Sequence, residues 1–152
     1  MAVKTVARQQ YQRIVDKAAI HAMPPVPSEG WLQTVRKALG MSGSQLAKRL
    51  HVTRARVAQA EHAELEGGVT LKSMQTFAEA MGCRFVYAIV PPKRIENLID
   101  EQARKKAEAL VGTASKHMAL ESQTLPDKKN AEEVDRLTRE IARDIASDFW
   151  SD

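Results

Sequence analysis

Residues 42–61, SGSQLAKRLHVTRARVAQAE, decide the fold. They read as two short helices joined by a tight turn, the second opening with arginines. Ser42 is a good N-cap, and Gln45 three residues later completes a capping box. Leu46, Ala47 and Leu50 form an apolar stripe at helical spacing. His51 and Val52 make the turn, and Thr53 caps the second helix. His51 stands at a turn position that needs positive φ, where His is among the few tolerated non-glycine side chains. Ala47 is small enough to let two steeply crossing helices approach, and Val57 and Ala60 face inward. Arg54, Arg56 and Gln59 stay free to point outward. A short helix packed across a partner and presenting Arg and Gln suits the major groove of DNA.

Working outward, Ser28 is a candidate cap for a helix starting near residue 31. The Gly67-Gly68 pair breaks the chain, and Thr70 caps a further helix. CRFVYAIVPP, residues 83–92, is β-branched and aromatic and stops at two prolines, which predicts the one strand of the chain. A lone strand leaves its N–H and C=O groups unpaired, so a partner is needed. Two copies paired antiparallel across a two-fold axis would satisfy both edges; the competing expectation is a second strand within the chain. Phe85, Tyr87 and Ile89 would share one face, and Val86, Ala88 and Val90 the other.

Residues 3–20 read as a helix with Val6, Ile14, Val15 and Ala18 apolar, followed by the proline-rich linker HAMPPVPSEG, residues 21–30. Residues 94–120 form a long amphipathic helix in which Ile95, Leu98, Ile99, Ala103, Ala107, Leu110, Val111 and Met118 recur at helical spacing, with Gly112 able to interrupt it. SQTLPDKK breaks the chain at Pro126. A last helix over 128–149 carries Val134, Leu137, Ile141, Ile145 and Phe149 on one stripe. These two helices either pack on a dimer core or hold a partner protein. The domain expectation is therefore 1–27 (N-terminal helix and linker), 28–82 (helix-turn-helix), 83–92 (dimerising strand) and 93–152 (C-terminal helical extension).

The charge is +4 overall and uneven along the chain. Residues 28–64 hold six Lys/Arg against three acids, and residues 127–152 hold five against eight. The proposed DNA reader thus lies in the basic half, where polyanion binding is favoured. One cysteine, Cys83, excludes an internal disulfide and points to a reducing compartment. With no bilayer-length apolar run and no charged-then-apolar leader, the expectation is a cytoplasmic protein without membrane contact. His21, His51, His62 and His117 are scattered, so no metal or other cofactor is expected. No nucleophile, acid–base pair or phosphate-cradling loop points to an enzyme. Cys83 reads as a small buried apolar side chain. Arg104, Lys105 and Lys106 read as a solvated helix face. Trp31, Trp150 and Tyr11 are isolated and form no stacking platform.

Residues 31–82 resemble the Cro/lambda-repressor-like helix-turn-helix family, also called the xenobiotic-response-element family. WLQTVRKALGM resembles its first helix, SGSQLAKRL the second, TRARVAQAEH the recognition helix and TLKSMQTFAEAMG the fourth. The resemblance implies a mainly α fold: a five-helix-type DNA-binding domain, here with one short β-strand and a C-terminal helical extension. It implies base contacts from Arg54, Ala55, Arg56 and Gln59. It implies phosphate contacts from Ser42, Gly43, Ser44, Gln45 and Thr53, and an ion pair between Arg36 and Glu61. Where the family commonly has Gln just after the cap of its second helix, this chain has Gly43, which leaves only a backbone N–H there.

Over most of its length the chain resembles a narrower family, mobile mystery protein A. The strings are SEGWLQTVRKALGMSGSQLAKRL, VTRARVAQAEH, GGVTLKSMQTFAEAMGCRFVYAIVP and QARKKAEALV. Its members are typically encoded beside a Fic-domain protein on mobile DNA, an arrangement that resembles a toxin–antitoxin pair. This resemblance implies a bacterial, nucleoid-associated autorepressor that binds a palindromic operator as a homodimer and partners a Fic-domain protein. The alternative is a protein-binding module that restrains a Fic-domain enzyme, with DNA binding secondary. Some Fic antitoxins offer a Glu in the pattern Ser or Thr, three residues, Glu, then Gly or Asn. Glu29, Glu66 and Glu96 are each followed by Gly or Asn, but the residues four before them are Pro25, His62 and Pro92. None fits.

Overall fold

The computed structural model describes residues 3–20, 23–120 and 127–151. His21, the start of the linker and the break at Pro126 lie outside the described residues. Seven helices lie within them: α1 (Val3–Ile20), α2 (Trp31–Ala38), α3 (Gly43–Leu50), α4 (Arg54–Glu66), α5 (Leu71–Ala80), α6 (Ile95–Leu120) and α7 (Asp127–Arg143). The chain divides into two compact units, Ala22–Ala88 and the combination of Met1–His21 with Ile89–Asp152.

The first unit is built on local capping. Ser42 Oγ accepts from Gln45 N and Gln45 Oε1 accepts from Ser42 N, closing the box that starts α3. His51 ends α3 in the left-handed region at φ 57°, and its successor Val52 donates to Ala47 O. Thr53 accepts from Arg56 N to start α4, and Thr70 accepts from Ser73 N to start α5. The stripe these caps aim inward is the core: Leu46, Ala47, Val57 and Ala60 are buried with Leu32, Met74, Phe77 and Met81. Burying such side chains contributes about 1.5–3 kcal/mol each for the larger ones.

Two expectations about this unit are corrected. It holds four helices among the described residues rather than five, and residues 83–90 form no strand. Their sequence is strand-like, but a strand exists only through its ladder, and the backbone groups of residues 84–90 make no hydrogen bond among the described residues. The segment is nevertheless extended enough for Phe85 and Tyr87 to stack at 5.7 Å on one side. Phe85 packs on the core, while Val86, Tyr87, Ile89 and Val90 are exposed.

The second unit joins α1, α6 and α7. Ile99, Ala103 and Phe149 form its buried centre, with Ile95, Ile141, Ala142 and Ile145 packed around them. Gly112 does not interrupt α6, which runs on to Leu120. The last helix is shorter than its apolar stripe predicts, ending at Arg143 instead of 149. The reason lies on α6. Gln102 Nε2 donates to Phe149 O, and Lys106 Nζ donates to Asp148 O and Ser151 O. These donors hold carbonyls of a terminal turn and let Phe149 fold back to 1% exposure. Lys106 is therefore a tether rather than part of a solvated face, while Arg104 pairs with Asp135 at 2.8 Å. On α1, Asp16 Oδ1 accepts from Ile95 N at the start of α6, and Arg8 donates to Arg143 O at the end of α7. Polar ties to helix ends thus hold α1, which buries no residue.

Candidate nucleic-acid interface

Helices α3 and α4 each leave N–H groups open at their first turns, as every helix does. In α3 the cap takes up Gln45 N, and Leu46 N bonds back to Ser42 O. The N–H groups of Gly43 and Ser44 remain. In α4, Thr53 takes up Arg56 N and Val57 N, which leaves those of Arg54 and Ala55. Each pair lies at the positive end of a helix dipole and is suited to an anion. Ser42 and Gln45 spend one acceptor apiece on the capping box, but the Ser42 hydroxyl proton and the Gln45 amide NH2 are still available to donate. Gly43 is half-buried, and a Cβ there would lie 3.8 Å from Arg54 Cγ. The phosphate-contact candidates Ser42, Gly43, Ser44, Gln45 and Thr53 are therefore found at two helix starts within one unit.

Arg54, Ala55, Arg56 and Gln59 are all exposed on α4. Among the described residues the side chains of Arg54, Arg56 and Gln59 have no hydrogen-bond or ion-pair partner. Beneath them Val57 and Ala60 are 1% exposed, so the helix is anchored by one face and free on the other.

The opposite end of α4 is fixed by carboxylates. Arg36 Nε donates to Glu61 Oε1 at 2.5 Å and Arg36 Nη2 to Glu61 Oε2 at 3.2 Å, a two-pronged pair. Arg36 Nη1 also donates to Met41 O, tying α2 to the approach to α3. The bond to Glu61 raises the Arg36 pKa above its ordinary value, against the opposing effect of burial.

Glu64 escapes the sequence reading altogether. Ser28 does not cap α2; Gly30 N bonds to Pro27 O, which places Ser28 inside a turn and makes Gly30 the N-cap. The cap is supplied instead by Glu64, which accepts from Trp31 N and Leu32 N at 2.8 and 3.0 Å. The one local signal was that Glu61 and Glu64, three apart, share a helix face. Cys83 is also corrected: it is exposed, between the buried Met81 and the core-packed Phe85.

Among the described residues no helix is long and apolar enough to cross a membrane, and no group of three or more His, Cys, Asp or Glu could hold a metal.

Residues 32–87 match the family model described as helix-turn-helix, from α2 through the extended segment after α5. No curated protein and no solved structure matches the chain. The chain thus carries a helix-turn-helix domain, the kind found in DNA-binding transcription regulators and not a catalytic one.

Proposed function

We propose that the chain is a sequence-specific regulator that binds a palindromic DNA operator as a homodimer, represses its own operon and acts as the antitoxin-side partner of a Fic-domain protein on mobile DNA. The observation that carries the DNA-reading part is the α4 surface. Arg54, Arg56 and Gln59 are exposed and unpartnered beside two helix starts with open N–H groups. Arg54 and Arg56 match the bidentate chemistry of guanine, Gln59 that of adenine, and the Ala55 methyl that of thymine. Ser42, Gly43, Ser44, Gln45 and Thr53 would hold phosphates and set the register. An unpartnered Arg and Gln surface supports this reading over a module that only restrains an enzyme.

The dimer part rests on the unpaired backbone of residues 84–90, a ladder edge with exposed apolar side chains on both faces. The same segment of a second copy would pair it and place two α4 helices on two half-sites. The Fic partner rests on the resemblance to mobile mystery protein A alone. With no inhibitory glutamate motif in the chain, restraint of a Fic neighbour would come through repression or through capture by α6 and α7. A footprint of the full-length protein on its own upstream DNA, with and without the neighbouring gene's product, tests all three parts. A protected inverted repeat is expected. Uniform, sequence-independent protection would refute the reading.

A further inference from the structure

Glu64 touches none of the proposed reading residues, yet it binds the recognition helix to α2. Its two oxygens accept from the first two N–H groups of α2, a charge-assisted cap delivered from 32 to 33 residues away. The backbone opposite is shaped to receive it. Gly30 is buried at φ +82°, and a Cβ there would lie 2.4 Å from Glu64 Oε2. One turn earlier on α4, Glu61 grips Arg36 in the last turn of α2. Carboxylates of α4 therefore hold α2 at both of its ends.

Val57 and Ala60 already anchor the inner face of α4 in the core, and the two carboxylates add polar attachments that limit the remaining roll of the helix about its own axis. That rotation matters because successive helical residues are about 100° apart around the axis, so a modest roll changes which side chains face a groove. We propose that Glu64, seated against Gly30, is a positioning residue that sets the roll of α4 and thereby the base preference of Arg54, Arg56 and Gln59. This inference rests on the DNA-reading proposal.

The test uses the full-length protein, a duplex enriched by the wild type from a random-sequence pool, and a scrambled duplex of the same composition. The readout is the ratio of the two affinities, with the urea midpoint of each variant as the measure of folding. Glu64→Ala should lower the ratio roughly fivefold, since losing a cap changes an equilibrium by about that factor. Affinity for the scrambled duplex, set by phosphate contacts, should stay within about twofold. Glu64→Gln keeps the volume and one acceptor, so it should fold like the wild type and fall between the two. Gly30→Ala should lower the ratio in the wild-type background and lower it less in the Glu64→Ala background. There the new Cβ meets no carboxylate, and only the φ strain remains. The inference is overturned if both Glu64 variants keep the wild-type ratio. It is equally overturned if affinity for both duplexes falls together in step with the folded fraction. Should the wild type enrich no sequence, the DNA-reading proposal falls as well; enrichment with unaltered discrimination in the variants removes the Glu64 role alone.

Discussion

Replacing Glu61 with Ala should destabilise the helix-turn-helix unit far more than a surface ion pair would. The Arg36 and Glu61 side chains are 14% and 10% exposed, so solvent screens them weakly. Removing one partner of such a pair leaves the other charge stranded, at a cost of about 3–5 kcal/mol. Arg36 keeps its bond to Met41 O, which places the expected loss at the lower end, about 3 kcal/mol. In a unit of this size each kcal/mol shifts Tm by about 4–8 °C, so a fall of more than roughly 10 °C is expected. The chain has two tryptophans, one in each unit, which gives the assay. In a Trp150→Phe background, Trp31 fluorescence reports on the first unit, where Trp31 packs against the core. A second variant separates charge from packing. Changing both partners to methionine removes the stranded charge and should recover most of the loss. An unfolding midpoint in Glu61→Ala that superimposes on the wild type would refute the reasoning. A double variant as unstable as the single one would show that packing, not charge, is lost.

Arg54→Ala/Arg56→Ala should abolish sequence preference at about 1–3 kcal/mol per lost base contact, and gel shifts equal to wild type would sink the reading surface. Val86→Pro removes a donor from the ladder edge, so sedimentation should show monomers that bind a palindromic duplex poorly; intact dimers would place the interface elsewhere. Phe149→Ala should cost the second unit about 3–5 kcal/mol. Trp150, edge-on to Phe149 at 4.8 Å, reports that loss in a Trp31→Phe background, and an unshifted midpoint would contradict the burial. Glu133 accepts hydrogen bonds from Arg136, which hold its carboxyl below the usual carboxylate range. A folded pKa below the unfolded one contributes stability that is present above the unfolded value and lost as pH falls through the folded one. A carbon-detected titration should show that low midpoint and its return to normal in Arg136→Ala.

What was legible in the sequence had partners close along the chain. The Ser42–Gln45 box, the Thr53 and Thr70 caps and the left-handed His51 each involve residues within a few positions, so residue type and spacing suffice to read them. The inward stripe of α3 and α4 follows from the same periodicity. What was not legible depends on residues far away. Ser28 is as good a cap by type as Ser42, but Glu64 takes the position from another helix. The last helix has an apolar stripe through Phe149, yet Gln102 and Lys106 bind the carbonyls of the turn that follows Arg143. A stripe records which residues are buried and not which backbone carries them.

The same distinction bears on the segment 83–90. Its apolar, β-branched composition is a property of the chain, but the structure does not divide it into a buried and an exposed face: Phe85 packs on the core, and Val86, Tyr87, Ile89 and Val90 all stay exposed. A ladder is a property of two chains or two segments, and among the described residues no second segment pairs with it. An extended edge with apolar residues on both faces invites pairing with another copy or another chain, and natural proteins blunt such edges with charge or proline. Here Arg84 stands at one end, and Pro91 and Pro92 close the other, leaving the middle unprotected. An edge guarded only at its ends limits the length of any ladder without preventing it. That is the edge which the proposed pairing with a second copy would use.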